Sequence, residues 1–252
     1  MKITLLGATG RTGRLILQYL LRAGHDVTVL VRSPARLHEQ LFTTGIPPLD
    51  SQAMPIRGEM ELLPDSFADQ LEMVPDAAAW TRGQSAYARL HILTGDTRDR
   101  NELAAALSGS AAVISAIGTD KSDALTVTMQ ALIPLMEQQS SSRLITIGTA
   151  GILQSRTAAD QYRYQTTESR QRSTRAAEEH RKVYEWLHSS TLQWTIVCPT
   201  YLPDGDYTGA YRMERDLLPA GGTRITTGDT AYVVYSQLQD ERYIRCRIGL
   251  SD

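Results

Sequence analysis

Three glycines at intervals of three residues are the first feature of the sequence that could do chemistry. Gly7, Gly10 and Gly13 follow the apolar run 3–6, and apolar residues at helical spacing come after them. A glycine turn between a strand and a helix lets the backbone approach a pyrophosphate, because no side chain intervenes and the helix N-terminus offers free N–H groups. The spacing and its context predict a dinucleotide-binding turn.

The second apolar run ends on a basic residue. Residues 27–31 are typical of a strand, and Arg32, Ser33 and Arg36 follow them. In dinucleotide folds the end of this strand meets the adenosine ribose, where an acid favours NAD and an arginine accommodates a 2′-phosphate. Two guanidinium groups with a hydroxyl between them offer charge-assisted hydrogen bonds to that phosphate. The pattern therefore predicts NADP(H) as the cofactor.

Strands and helices alternate along the chain around these motifs. The predicted strands are 3–6, 27–31, 90–93, 111–116, 143–147 and 193–198, and the predicted helices are 11–23, 98–107, 125–139 and 168–188. Such alternation favours a parallel sheet whose right-handed crossovers place helices on both faces. We expect one α/β domain over residues 1–252, a single Rossmann-type doubly wound parallel sheet.

One connection is longer than this fold needs. The stretch at about 38–89 separates the second and third strands and contains five prolines. Compact crossovers are much shorter. We therefore predict an insertion within the domain, and its role as a lid, an oligomer contact or a plain surface excursion stays open, as does the oligomeric state.

Composition and charge exclude several classes of function. The 252 residues carry a net charge of -2 at a pI near 6.2, without the positive field of nucleic-acid-binding or membrane-surface proteins. No apolar stretch approaches the ~20 residues of a membrane span. Cys198 and Cys246 are too few for a disulfide framework and lack metal-ligand spacing. We expect a cytoplasmic protein without a metal, whose partner is a small molecule and neither nucleic acid nor a membrane.

An ordered set of motifs links the chain to a known family. The set runs from GATGRTG and VTVLVRSPARL through LTGD and VISAIGT to AAEEHRKVYEWLHSSTLQWTIVCPTYL, TGAY and a terminal DERYI. With these motifs the chain resembles the atypical short-chain dehydrogenases of the NmrA-like type, and among them the reductases of flavin and biliverdin. The resemblance covers most of the chain except the insertion and the polar stretch 154–175.

The resemblance implies a role for residues at the end of each strand. Asp96 and Thr97 would flank the adenine, and residues 116–118 would line the nicotinamide ribose. Together with Ser33, the predicted cofactor-binding residues are Gly7, Thr9, Gly10, Arg11, Thr12, Gly13, Arg32, Arg36, Asp96, Thr97, Ala116, Ile117, Gly118, Thr149, Pro199, Thr200 and Tyr201.

Two residues near the nicotinamide are the predicted catalytic residues. Thr149 stands where the resemblance implies a serine, and Tyr201 stands where it implies a histidine. The second departure falls at the position to which the resemblance gives a proton-donating or substrate-orienting role. Pro199, Thr200 and Tyr201 would together close over the nicotinamide ring.

The usual catalytic pair of short-chain dehydrogenases is missing from the sequence. In that pair a tyrosine is followed four residues later by a lysine. At that spacing Tyr162, Tyr164, Tyr184 and Tyr201 are followed by Thr166, Glu168, His188 and Gly205. What remains is hydride transfer to an electrophilic acceptor such as a flavin, a quinone or a linear tetrapyrrole, with a proton from solvent or a weak acid.

A histidine and several arginines in the second half of the chain offer further options. His180 lies one turn before Tyr184 in a predicted helix, but a helical histidine within a run of charges is more often solvated than catalytic. The arginines of residues 154–175 suit an anionic acceptor, although interspersed acids favour a solvated surface.

Two functions from different classes fit these observations. The first is an NADPH-dependent reductase of a flavin, a quinone or a linear tetrapyrrole. The second is a redox sensor of the NmrA type, which binds NADP and reports its state to a protein partner without turnover. The missing catalytic pair is compatible with both, and measurable NADPH oxidation separates them.

Overall fold

The structure is built on an eight-stranded sheet with helices on both faces. The computed structural model describes residues 1–43, 87–119, 122–139, 142–169 and 173–252. Within them the strands are β1 (Lys2–Leu6), β2 (Asp26–Val31), β3 (Leu90–Thr94), β4 (Ala112–Ser115), β5 (Arg143–Ile147), β6 (Gln193–Pro199), β7 (Arg212–Arg215) and β8 (Cys246–Ser251). The α-helices are α1 (Gly13–Arg22), α2 (Pro34–Thr43), α3 (Arg100–Leu107), α4 (Ala124–Gln138), α5 (Arg175–Ser189) and α6 (Thr227–Ser236).

The strand order places a switch point at the centre of the sheet. The order is β3-β2-β1-β4-β5-β6-β8-β7, and all neighbours are parallel except β7, which pairs antiparallel with β8. From β1 the chain runs outward to β2 and β3, and it returns to the other side of β1 at β4. Open α/β sheets bind ligands beyond the carboxyl ends of the strands at such a point. The predicted Rossmann-type doubly wound fold is confirmed.

The first β–α–β unit forms because the apolar residues of its strands and of its helix are spaced so that both sets point into the core. Ile3 pairs with Val27 in the parallel register of β1 and β2, and both are fully buried. Along α1, Ile16 and Leu20 lie one turn apart on the buried face. Gly24 follows the helix with φ +72°, a left-handed conformation that favours glycine and turns the chain into β2.

Two core layers cover the two faces of the sheet. Alternate strand residues face alternate sides, so that Ile114 and Ile145 lie in the first layer with residues of α1 and α6. Val113 and Leu144 lie in the second layer with residues of α3, α4 and α5. The cleft described below opens at the carboxyl ends of these strands.

The predicted helix 168–188 is wrong at its start, because α5 begins at Arg175. Glu168 is instead tied into the preceding loop, where its carboxylate accepts hydrogen bonds from Ser155 Oγ at 2.5 Å and the Thr157 N–H at 3.0 Å. Its second oxygen accepts from Arg163 Nε at 3.2 Å. An acid that resembles a first-turn helix residue thus serves as the anchor of a loop.

Most of the predicted insertion 38–89 lies outside the described residues. At its edges α2 continues to Thr43, and a short 3₁₀ turn at Tyr87–Arg89 leads into β3. The crossover from β2 to β3 therefore has a helix of its own before the undescribed part. The sequence does not predict α6, β7 or β8, and of these β8 and β7 complete the sheet beyond β6.

Candidate functional site

The glycine turn lies against the end of β4. Gly7 has φ +81°, and a Cβ on it would lie 2.6 Å from the Ala116 carbonyl oxygen. A Cβ on Gly13 would lie 2.1 Å from the Gly7 carbonyl oxygen. The close backbone contacts therefore require both glycines, and they bring the start of α1 to the boundary between β1 and β4.

Gly10 and the first turn of α1 form the floor of a cleft. The Gly10 N–H donates to the Gly7 carbonyl oxygen at 3.0 Å. Thr12 precedes the helix and makes no side-chain cap hydrogen bond. The Arg14 and Leu15 N–H groups donate to the Gly10 and Thr12 carbonyl oxygens, so that the N–H groups left for a ligand are those of residues 11–13. The turn fits a pyrophosphate, because free N–H groups and the positive end of a helix dipole meet at a surface without side chains.

The cleft above this turn has a volume of about 650 Å³, a size typical of small-molecule sites. The predicted cofactor-binding residues that line it are Thr9, Gly10, Arg11, Thr12, Arg36, Ala116, Ile117 and Gly118. The lining residues outside the predicted set are Arg14, Gln40, Thr119, Ile147, Gly148, His180, Leu202 and Asp204. The structure thus joins the ends of β1, β4 and β5 with parts of α1, α2 and α5.

An ion pair links the glycine turn to the segment after β6. Arg11 donates to the Leu202 carbonyl oxygen at 3.2 Å and pairs with Asp204 Oδ1 at 3.1 Å. Both side chains are more than half exposed, so that the pair adds little to stability. It joins the Arg11 side chain to the 202–204 segment, and Arg11, Leu202 and Asp204 all line the cleft.

Arg32 and Ser33 lie at the start of α2, beyond the lining of the cleft. Ser33 Oγ accepts a hydrogen bond from the Arg36 N–H at 3.3 Å, so that Ser33 caps the helix that Pro34 begins. Arg32 is exposed and close enough to Asp96 to contribute to lowering its pKa. The end of β2 is therefore a helix N-terminus flanked by two guanidinium groups, which is suited to an anion.

Asp96 and Thr97 follow β3 and are held by protein groups. The Asp96 carboxylate accepts hydrogen bonds from Arg98 Nε at 3.1 Å and Nη2 at 2.6 Å, and these bonds lower the pKa of Asp96 to about 2. Thr97 Oγ1 accepts from Thr128 Oγ1 at 2.8 Å. Neither residue lines the cleft, and their contact with an adenine stays a prediction.

Thr149 lies beside the cleft and caps a turn. It follows the lining residue Gly148, and its Oγ1 accepts a hydrogen bond from the Gly151 N–H at 3.4 Å. The hydroxyl proton of Thr149 is not used in this contact. Its catalytic role therefore stays a prediction.

The segment after β6 presents the other predicted nicotinamide contacts. Pro199 is the last residue of β6, and Thr200 Oγ1 donates to the Thr223 carbonyl oxygen at 3.3 Å. Tyr201 is 67% exposed and is followed by the lining residue Leu202. These three residues border the cleft without lining it, and the catalytic role of Tyr201 stays a prediction.

His180 is buried against the sheet and lines the cleft beside Ile147 and Gly148. It is 9% exposed, and burial lowers its pKa to about 4. The expectation of a solvated histidine is wrong, because the charges around it in sequence lie on the other faces of α5. At neutral pH a neutral imidazole faces the cleft.

The arginines of the polar stretch 154–175 have acidic partners. Arg156 pairs with Glu214, Arg163 with Glu168, and Arg175 with Glu179. Arg170 and Arg172 lie outside the described residues. The described pairs favour the interpretation of this stretch as a charge-balanced surface.

Other kinds of site find no support in the described ranges. They hold no group of three or more side chains that could bind a metal ion. Cys198 and Cys246 are buried free thiols, and burial raises the pKa of Cys246 to about 11. None of the helices resolved in these ranges is both long and apolar enough to cross a membrane.

The fold and the glycine cradle define a Rossmann-type protein that takes a nicotinamide cofactor. Residues 7–50 and 73–241 match the NAD(P)H-binding family, and the chain belongs to that family. The predicted family is confirmed at this level, whereas the choice between NADP and NAD is not decided by the match.

Three similar proteins extend this comparison. The uncharacterized protein YwnB of Bacillus subtilis is 22% identical over 245 residues, which are 95% of this chain and 92% of YwnB. ChuY, an anaerobilin reductase of Escherichia coli, has a TM-score of 0.68 at 18% identity, with 100% of this chain and 97% of ChuY covered. A candidate NADH-flavin reductase of Streptococcus pneumoniae has a TM-score of 0.65 at 21% identity, with 100% and 99% covered.

Proposed function

We propose that the protein is an NADPH-dependent reductase that transfers hydride to a flavin, a quinone or a linear tetrapyrrole. The observation that carries this proposal is the extent of the cleft. One end has the glycine turn and Arg36, and the other continues past Ala116 and Ile117 to Ile147 and His180. The first end suits the phosphates of a dinucleotide, and the second suits a nicotinamide ring with a flat conjugated acceptor beside it.

The preference for NADPH rests on the end of β2. Arg32 and Arg36 offer charge-assisted hydrogen bonds to a 2′-phosphate, and no acid competes at the strand end itself. Ser33 uses its oxygen as the helix cap, and its hydroxyl proton remains for a phosphate oxygen. The α2 N-terminus adds a favourable partial charge.

The missing tyrosine–lysine pair supports an acceptor that needs no strong acid. When bound, the nicotinamide supplies the hydride. The residues of the chain orient the acceptor, and Thr149 and Tyr201 border the place where the two reactants would meet. The flavin and anaerobilin named for two structural neighbours are both extended conjugated molecules, which supports this acceptor class.

A redox sensor without turnover is the second candidate. The observation that favours it is the placement of the two predicted catalytic side chains. Thr149 caps a turn and Tyr201 is largely exposed, and neither lines the cleft. A sensor needs only the residues that bind the cofactor, and it does not require Thr149 and Tyr201 to reach into the cleft.

One experiment separates the two functions. Purified protein is given NADPH with FMN, a soluble quinone or biliverdin in turn, and cofactor oxidation is followed by absorbance, with NADH as the control. Turnover of any acceptor, faster with NADPH than with NADH, supports the reductase. Tight NADPH binding without turnover supports the sensor. We place either activity in the cytoplasm, where free thiols such as Cys198 and Cys246 persist.

A further inference from the structure

The buried face of α5 contains a histidine where the pattern calls for an apolar residue. The buried residues of this helix are Ala177, His180, Val183 and Leu187, at intervals of three and four residues. Val183 and Leu187 pack in the second core layer against the sheet. His180 occupies the same stripe one turn nearer to the carboxyl ends of the strands.

Nothing in the described part of the chain hydrogen-bonds to the His180 ring, and burial alone accounts for its lowered pKa. Burying a polar ring without a partner costs stability, and a leucine would suit the stripe better. Residues that lower the stability of a fold are found most often at functional sites, and we therefore expect a function for His180.

The surroundings of His180 indicate what that function is. It lines the cleft at the ends of β4 and β5, next to Ile147 and Gly148 and with Ala116 and Ile117 on the same lining. The other titratable lining residues are Arg11, Arg14, Arg36 and Asp204. These come from the glycine turn, α1, α2 and the segment after β6, whereas His180 is the titratable lining residue that α5 contributes.

Two further unpartnered polar groups lie on the face of the sheet that α5 covers. Ser115 and Thr146 are register partners at the ends of β4 and β5, and both are buried. Within the described residues their hydroxyl oxygens have no hydrogen-bond partner. By strand alternation both face the second core layer, as His180 does. The inner end of the cleft is therefore polar beneath its lining residues Ala116 and Ile147.

We propose that His180 is a catalytic residue of the reductase proposed above, whose neutral imidazole N–H donates a hydrogen bond to the acceptor atom that gains negative charge during hydride transfer. The step balances without a change in His180. A bound nicotinamide would supply the hydride from its C4 and become oxidised, the acceptor would take up the two electrons and hydrogen, and water would supply the proton that neutralises the reduced acceptor. The inference rests on the proposed function.

A neutral donor suits this step better than an acid. A preorganised hydrogen bond aimed at developing charge stabilises the transition state more than the ground state. In the buried site such a bond is stronger than in water. Because burial keeps the imidazole neutral, the donor is present throughout the neutral range.

The inference is tested with two variants of His180 and one control. His180→Leu removes the donor and fills the stripe, and His180→Gln keeps a neutral N–H donor. His188→Leu removes an exposed histidine from the last turn of the same helix. With the acceptor that the wild type turns over best, we expect kcat to fall roughly 100-fold in His180→Leu, as for loss of one such donor.

The accompanying readouts distinguish catalysis from structure. In His180→Leu the NADP⁺ dissociation constant should stay within about twofold of the wild type, and the midpoint of thermal unfolding should rise. His180→Gln should recover part of kcat, and His188→Leu should match the wild type. Unchanged kcat in His180→Leu, or a loss of NADP⁺ affinity that accounts for the whole loss of turnover, overturns the inference.

A second measurement keeps the failure of this inference apart from the failure of the proposed function. The imidazole nitrogen signals of the NADP⁺-saturated protein are recorded by NMR with and without FMN or biliverdin, and His180→Gln identifies the His180 signal. A shift of that signal on acceptor binding is expected. If the wild type turns over an acceptor and the signal does not move, the inference about His180 fails alone. If no acceptor is turned over, the reductase proposal itself fails.

Discussion

We predict that the choice between two cofactors that differ by one phosphate depends on single residues at the end of β2. Arg32 is exposed there, and Ser33 and Arg36 begin α2 around it. We expect Arg32→Asp to weaken NADPH binding by roughly tenfold to a hundredfold and to leave NADH binding almost unchanged, because only NADPH brings a phosphate to this point. Isothermal titration with NADP⁺ and NAD⁺ measures both.

The control for this prediction carries the same change of charge elsewhere. Lys182 is exposed on α5 and does not line the cleft, and Lys182→Asp should alter neither affinity by more than about twofold, since solvent and salt screen exposed charges. An equal loss of NADP⁺ and NAD⁺ affinity in Arg32→Asp would remove the 2′-phosphate from this site.

At the scale of single residues, the sequence predicts the lining of the cleft best where a backbone motif forms that lining. Residues 9–12 and 116–118 line it as expected, because a glycine turn and the end of the neighbouring strand fix their own positions. His180 is harder to place, since its neighbours in sequence are charged. The helical spacing of His180 from Ala177 and Val183 is the feature of the sequence that could have predicted its burial. Gln40 could likewise have been placed in the cleft, because it lies one helical turn after Arg36.

At the scale of elements, the contact between β1 and α1 distinguishes two glycines of one motif. A Cβ on Gly13 would lie 2.1 Å from the Gly7 carbonyl oxygen, whereas a Cβ on Gly10 would lie 3.2 Å from it. Gly13→Ala should therefore push α1 away from the turn and lower the free energy of unfolding by roughly 1–3 kcal/mol. Gly10→Ala should fold with little change, since a few tenths of an ångström relieve the contact.

For NADP⁺ binding by the folded protein we expect the reverse order. Gly10→Ala, the more stable of the two variants, should show the greater loss of affinity. In Gly10→Ala the methyl group would stand where the pyrophosphate is predicted to approach, so that NADP⁺ affinity should fall by roughly tenfold although the protein is folded. Urea unfolding and NADP⁺ titration of the same samples give both quantities. A folded Gly10→Ala that binds NADP⁺ like the wild type would contradict the pyrophosphate assignment.

The elements that the sequence does not predict are those whose patterns depend on tertiary contacts. Every residue of α6 is buried, so it shows no polar face, and its β-branched and aromatic residues resemble a strand. The cap by Thr226, which accepts from the Asp229 N–H, is the local sign of a helix there. In β8, Arg247 and Gly249 interrupt an apolar run, although the strand is buried throughout.

The loop before α5 offers a prediction about pH. Burial alone would raise the pKa of Glu168, but hydrogen bonds from Ser155, Thr157 and Arg163 outweigh it and lower the pKa to about 2, from an ordinary value of 4.5. A carboxyl group whose pKa is lower in the folded state stabilises the fold above its unfolded pKa. This contribution is lost as the pH falls from 4.5 towards 2.

We therefore expect Glu168→Gln to cost roughly 1–2 kcal/mol of unfolding free energy at pH 7, since the charge-assisted bonds become ordinary ones. Urea unfolding of both proteins should give a constant difference above about pH 5 and a shrinking one below it. Glu178→Gln, at an exposed position in the first turn of α5, should show no such dependence. A difference that does not change with pH would mean that the carboxylate of Glu168 does not stabilise the loop.

At the scale of the whole molecule, the cleft joins segments that are far apart in the sequence. The glycine turn, α2, the ends of β4 and β5, α5 and the segment after β6 all contribute to its lining. An unfolded chain cannot assemble such a site, so that a ligand binds the folded state alone and stabilises it by about 2.7 kcal/mol at a hundredfold excess over its dissociation constant. For a domain of this size, that corresponds to a rise of roughly 5–10 °C in the unfolding midpoint.

Because of this coupling, the shift of the thermal unfolding midpoint can be measured with parts of the cofactor to show which part the protein binds. Adenosine 2′,5′-bisphosphate should raise the midpoint more than AMP at equal concentration, because Arg32 and Arg36 are predicted to bind the extra phosphate at the end of β2. NADP⁺ should raise it further, because in the proposed binding mode the remaining half would occupy the part of the cleft that His180 lines. In Arg32→Asp the two adenosine nucleotides should become equal, while AMP keeps its effect. Equal shifts in the wild type would mean that the molecule selects its cofactor without the 2′-phosphate.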